Sequence, residues 1–442
     1  MSAAAEPNAR EAQAILQSLQ AGVVPRAGLH HLAVGRVGEV RQLLRELEAV
    51  AAGAGAFKLI LGPYGAGKTF VLALARQAAL AQGFLVADAD LGPGLRLTGD
   101  GKGLATYREL LARLASAARP DGGALPALLD RWAEGVRERT LARMGGHGQD
   151  RTPAMAAALN REFGTSLGEL AGQAGGPAFA AVLRAYYEAA LAGEDARAAA
   201  CTRWLRGEMR SAAEARVSLG IPGAAPPGDA DWYERLRLLA MLAAAAGYAG
   251  LVVVLDEAVH LYRLAQTEAR ARNYEVVLRL LNATLQGDAP HLAVYLAGPP
   301  ELLTDPYRGL AADPALRSRL APNHLADADH RDLAQPVMTL RPLDPSELLA
   351  LLHKVLGLHR TYYGPSRLRG EDAAAFLQDL LARPGAAQHL TAREAVRGFL
   401  QLCNLVQQHA DLEVGDLLRR AAAQVPLQEG DAGDDERFVT IS

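Results

Sequence analysis

Apolar residues recur every three or four positions through residues 9–50, as at Val40, Leu43, Leu44 and Leu47. That spacing predicts two helical segments around a break at 22–28. The period then changes. Residues 57–61 (FKLIL) predict a short buried strand, a glycine-rich turn follows, and residues 69–82 predict a helix before a second strand at 84–88. Strand, turn, helix, strand is the order of a parallel sheet built by crossovers. From about 100 to 240 the chain is rich in Ala, Leu, Arg and Glu, with Gly/Pro breaks near 119–126, 145–153, 172–177 and 220–229. A crossover needs only a dozen or so residues, so this stretch predicts an inserted helical subdomain.

The sheet resumes at 251–255, followed by a helix over 269–286, a strand over 291–296 and helices from Pro342 to about 424. Asp344-Pro-Ser-Glu347 and Thr391-Ala-Arg-Glu394 have the spacing of capping boxes. Residues 238–255 run 18 positions without a charge, the lower edge of a membrane span. The run changes midway from Ala/Leu to β-branched residues across Gly247-Tyr-Ala-Gly250, so it predicts a helix, a turn and a buried parallel strand instead. The expected organisation is an α/β parallel-sheet core with a large helical insertion and a C-terminal helical lid. Residues 1–50 are an N-terminal helical segment, 51–99 with 241–335 the core, 100–240 the insertion, 336–425 the lid and 426–442 an acidic tail.

Composition changes this picture little. The 442 residues are 50% hydrophobic and 21% charged with net charge −3, far from the basic balance of a dedicated nucleic-acid binder. The insertion is nearly neutral, with 18 Lys+Arg against 16 Asp+Glu between 101 and 240. Cys201 and Cys403 are too few for a disulfide framework or a cysteine-rich metal site. The first residues lack a signal-peptide signature, so the expected location is the cytoplasm. Only four of the 46 Lys+Arg are lysine (Lys58, Lys68, Lys102, Lys354). GC-rich coding accounts for most of that bias, and it draws attention to each lysine that remains.

Chemistry enters at Gly62-Pro-Tyr64-Gly65-Ala66-Gly67-Lys68-Thr69, which is G-x-x-x-x-G-K-T between a predicted strand and the helix predicted over 69–82, the mark of an α/β P-loop NTPase, with Phe70 also expected among the nucleotide-binding residues. Small residues let backbone N–H groups wrap phosphates, Lys68 reaches the β/γ-phosphates and Thr69 ligates Mg²⁺. The strand at 251–255 runs into Asp256-Glu257, the pair a Walker B site needs. Asp256 would hold Mg²⁺ through water, and Glu257 would orient and deprotonate the attacking water. No Asn-Lys-x-Asp motif exists, since Lys102 follows Gly101 and Lys354 follows His353; ATP is therefore the expected nucleotide. A second helicase core is absent. Arg317 and Arg319 are both candidates for a finger acting on a neighbouring subunit, and Arg393, in the first turn of a capped helix, for a second sensor.

The order Walker A, Walker B, later strand, Ser-Arg segment and helical lid resembles AAA+ ATPases of the origin-recognition branch. In that class Val34-Gly35-Arg36 is similar to the segment that contacts adenine. Together with Gly22-Val-Val-Pro25, KGLATYRE at 102–109 and Val254-Leu-Asp-Glu-Ala258, these motifs resemble the ATP-binding (BrxD-like) family of BREX phage-defence systems over about 10–425. The resemblance implies an ATPase with ATP and Mg²⁺ as cofactors, a homo-oligomer, and a helicase or other defence-protein partner. DNA is a further candidate partner that charge does not reveal. One departure is visible: Ala297-Gly-Pro follows the 291–296 strand where that class carries a polar sensor. Weak or partner-stimulated hydrolysis is then expected. The competing readings are an ATP-dependent scaffold with little turnover and, less supported, a small-molecule kinase.

Overall fold

The computed structural model describes residues 7–144, 152–327 and 330–427. Five strands form one sheet: β1 (Ala56–Leu61), β2 (Leu85–Asp90), β3 (Leu251–Asp256), β4 (Leu292–Gly298) and β5 (Val337–Thr339), in the order β2-β3-β4-β1-β5. Strands β2, β3 and β4 pair in parallel, with Leu85 opposite Leu251 and Leu251 opposite Leu292. Beside β1, Leu59 N–H donates to Pro336 and Leu340 N–H to Leu61, so β5 runs the same way. All residues of β3 and β4 are buried, as continuous apolar runs in a covered parallel sheet require. The uncharged run at 238–255 is the end of the Trp232–Ala245 helix, a turn and β3. Among the described residues no helix is long and apolar enough to cross a membrane.

The chain divides into two compact units. One comprises Arg41–Ile60 and Ala75–Met338 and contains nearly all of the sheet and the residues inserted after β2. The described residues there are mostly helical, from Lys102–Ala112 to Trp232–Ala245. Their core is built on Trp132, Trp204 and Trp232, each fully buried. The Trp204 indole donates to Ala224 O (3.0 Å) and that of Trp232 to Leu97 O (2.8 Å), which lets two polar-tipped rings lie in a dry core.

The KGLATYRE segment joins this helical region to the loop after β2. Asp229 accepts from the N–H groups of Gly99 (2.6 Å) and Gly103 (2.7 Å), acting as a remote cap for the Lys102–Ala112 helix. Tyr107 donates to Leu205 O and Thr106 to Arg96 O. Arg108 grips Gly207 O with two nitrogens. At Gly103 a Cβ would stand 2.6 Å from Leu97 O and 2.7 Å from Trp232 Nε1, so no larger residue fits.

The other unit comprises Met1–Val40, Leu61–Leu74 and Thr339–Ser442. Its core joins Ala12, Ile15 and Leu16 of the Ala9–Gln20 helix to Leu352, Phe376, Phe399 and Cys403 of the C-terminal helices. Asp344 and Glu347 complete a reciprocal capping box with Pro345 in the first turn, while Thr391 Oγ1 accepts from Glu394 N–H (3.3 Å). Both cysteines are buried thiols, and burial pushes Cys201 up to about 11 and Cys403 up to about 12. The expected acidic tail lies, beyond Leu427, outside the described residues.

Candidate nucleotide site

The turn Gly62–Gly67 leaves the end of β1, and the Lys68–Ala81 helix begins at Lys68. Gly65 and Gly67 adopt left-handed backbone angles (φ 77° and 84°), which turn successive N–H groups inward as a phosphate cradle needs. Lys68 Nζ donates to the carbonyls of Gly62 (2.8 Å) and Pro63 (3.1 Å), so its ammonium is held across the mouth of the loop that it closes. Thr69 is exposed at the second helical position, and Phe70 packs against the core of its unit.

Three elements of the same unit brace this loop. Arg36, only 4% exposed, donates from Nη2 to Ala66 O (2.8 Å) and to Arg341 O (2.6 Å), and pairs with Glu39 at 3.5 Å. Its guanidinium therefore grips the P-loop backbone. Gly35 lies against the Glu347 carboxylate, which also pairs with Arg341 at 2.8 Å. At Gly65 a Cβ would overlap the Thr391 side chain, so the cap of the Ala392–Gln408 helix sits on the loop. Arg393, two residues on, donates to the Tyr64 hydroxyl (3.0 Å) and lies 5.7 Å over the Tyr64 ring. Gly35, Arg36, the P-loop residues and Arg393 are thus gathered in one unit.

The second unit holds Asp256 and Glu257 at the end of β3. Asp256 is 5% exposed, and its Oδ1 accepts the N–H of Glu257 at 2.8 Å. Glu257 is exposed and has φ 57°, a left-handed angle that costs a non-glycine residue about 1–2 kcal/mol. Strain of this kind collects at functional positions. Asp90, which sequence reasoning passed over, stands opposite Asp256 in the β2–β3 register. Burial raises its carboxyl above the ordinary value, and the Asp256 charge acts in the same direction. The period of two from Asp88 to Asp90 was the available signal. Strand β4 lies between β1 and β3 and ends in Ala297 and Gly298, so no polar side chain stands at its end.

Arg317 and Arg319 lie in the short Pro314–Arg319 helix, both exposed. Arg317 Nε donates to Ala311 O (2.6 Å) and Arg319 Nη1 to Ala315 O (3.1 Å). The geometry does not separate them. Lys58 is the other residue that sequence reasoning left without a role. It is 1% exposed on β1, pairs with Glu46 at 2.5 Å and donates to Gln335 O (2.6 Å) and Leu333 O (3.1 Å). It ties β1 to the segment that leads into β5.

Comparison with known proteins adds one finding. The model of a family described as BREX system ATP-binding protein BrxC/D matches residues 8–422. No curated protein matches the chain significantly.

Proposed function

The chain belongs to the BREX system ATP-binding BrxC/D family, and from that premise we propose that it is an AAA+-like ATPase of a multi-gene phage-defence system. The observation that carries the reading is the P-loop: a G-x-x-x-x-G-K-T turn at the end of β1, with left-handed glycines and Lys68 drawn across it. Its backbone N–H groups and the N-terminus of the Lys68–Ala81 helix bind phosphate oxygens, and the Lys68 ammonium exchanges carbonyl partners for the β/γ-phosphates. Thr69 and Asp256 supply a hydroxyl and a carboxylate, hard oxygen donors that suit Mg²⁺. Thr69 and Asp256 would hold the ion, whose charge would offset that of the phosphates.

Glu257 orients the attacking water and takes its proton. Its left-handed backbone is held by the bond from its N–H to Asp256. Arg393 reads the nucleotide from the lid, and Arg317 or Arg319 acts on the γ-phosphate of a neighbouring copy in a homo-oligomer. ATP binding and hydrolysis would then remodel the oligomer or its partner, a helicase or other defence protein, with DNA as a further target.

A second reading, an ATP-dependent scaffold or switch with little turnover, is favoured by the Ala297-Gly298 end of β4, where no side chain can help position water. An ATPase assay with and without DNA, beside mass measurement with a slowly hydrolysed ATP analogue, separates the two. The ATPase reading expects turnover that DNA or a partner raises. Assembly with nucleotide but no turnover under any condition establishes the scaffold.

A further inference from the structure

Upstream of Arg36, three side chains with metal-ligating atoms come together without any assigned task. Glu11 lies in the first turn of the Ala9–Gln20 helix, where Asn8 Oδ1 accepts its N–H at 2.9 Å. His30 and His31 lie in the short turn Leu29–His31. One carboxylate oxygen of Glu11 and one ring nitrogen from each histidine all fall within 4.8 Å of one another. His31 Nε2 is 3.5 Å from Glu11 Oε1. That is close to the edge of a tetrahedron about 3.3 Å on a side, which metal–ligand distances of about 2.0–2.1 Å generate.

The surrounding backbone holds the arrangement. The His30 and His31 rings are 3.9 Å apart between centroids. Gly28, left-handed at φ 69°, brings the chain so near that a Cβ there would lie 3.1 Å from Glu11 Oε1 and 2.6 Å from Ile15 Cδ1. The side chains of His31 and Glu11 are 10% and 30% exposed, whereas His30 is exposed and able to swing onto an ion.

We propose that Glu11, His30 and His31 form a binding site for a divalent transition metal of the zinc class. Two imidazoles and one carboxylate favour Zn²⁺, Co²⁺ or Ni²⁺ over Mg²⁺ or Ca²⁺, which prefer oxygen alone, and water completes the coordination. Lys354, whose Nζ donates to Ala33 O at 2.7 Å, is the opposing cation acting on His30. A bound ion would join the start of the Ala9–Gln20 helix to the residues leading into Gly35 and Arg36, tightening the segment that braces the P-loop. None of the three donors belongs to the proposed nucleotide site, so either reading can fail alone.

The test is calorimetric titration of the chelator-stripped full chain with Zn²⁺ alone, repeated with Co²⁺ and read by its visible absorption. One ion per chain is expected, with Co²⁺ bands of nitrogen coordination. His31→Ala, His30→Ala and Glu11→Gln should each weaken uptake about tenfold or more. Thr69→Ala should leave it unchanged. His31→Gln, which keeps size and polarity, replaces His31→Ala if that variant does not fold. Absence of saturable uptake overturns the proposal, as does uptake that persists in the His31 and Glu11 variants or disappears in Thr69→Ala.

Discussion

Lysine is scarce here, and three of the four lysines make bonds to backbone carbonyls. Lys58 reaches Leu333 and Gln335, Lys68 reaches Gly62 and Pro63, and Lys354 reaches Ala33. A compact ammonium with three rotatable donors fits such cages, and the planar fork of arginine does not. Scarcity therefore drew attention to Lys68, but could not distinguish a proposed phosphate ligand from the buried tie at Lys58. Glu257→Gln removes the proposed base while keeping the bond from its N–H to Asp256. Its turnover should fall about 10²-fold or more with ATP binding retained; a parent-like rate in a steady-state assay would remove Glu257 from that role. Gly65→Ala meets both the left-handed φ and the Thr391 side chain. It should cost about 1–3 kcal/mol in urea melts and weaken nucleotide binding.

Elements with strong periodicity were legible, and those defined by partners were not. Strands β1 to β4 and the P-loop follow from apolar runs and glycine spacing. Strand β5 has three residues, Val337-Met338-Thr339, too few for any pattern to register. The Ala9–Gln20 helix reads as amphipathic, yet nothing in its own residues says that its apolar face meets Leu352 and Phe399, far away in sequence. Lys58→Met tests the tie between β1 and the segment before β5. It leaves the largely buried Glu46 carboxylate without its cation, with only the Gln42 hydrogen bond remaining, so it should destabilise by about 3 kcal/mol. Burial already raises the Glu46 carboxyl above its usual value, with Lys58 opposing. Without Lys58 the folded state holds the Glu46 proton more tightly, so the deficit should shrink as pH falls; a pH-independent deficit in urea melts would contradict this. The Asp344 cap has the opposite sign. The Ser346 hydroxyl and then the Glu347 N–H hold that carboxyl down at about 2. Its contribution is present above the ordinary carboxylate range and is lost as pH falls toward about 2.

Across the whole molecule, the sequence divides the chain by composition and the structure divides it by shared cores. The P-loop, the Arg36 segment and the C-terminal helices fall in one unit, and the β3 carboxylates fall in the other. The polar residue absent from the end of β4 was already visible in the sequence, and the strand ends as expected in Ala297 and Gly298. The near-neutral insertion forms internal ion pairs such as Glu162 with Arg139 and Arg143, both at 2.7 Å. Gel shifts of the isolated chain on DNA should therefore be weak and salt-sensitive. The central proposal is that the P-loop binds ATP through Lys68. The most direct measurement is equilibrium binding of a slowly hydrolysed ATP analogue to the parent chain and to Lys68→Ala. Saturable binding at one nucleotide per chain is expected, weakened about a hundredfold or more (~2.7 kcal/mol) in the variant; equal affinity in the two proteins would contradict the role of Lys68.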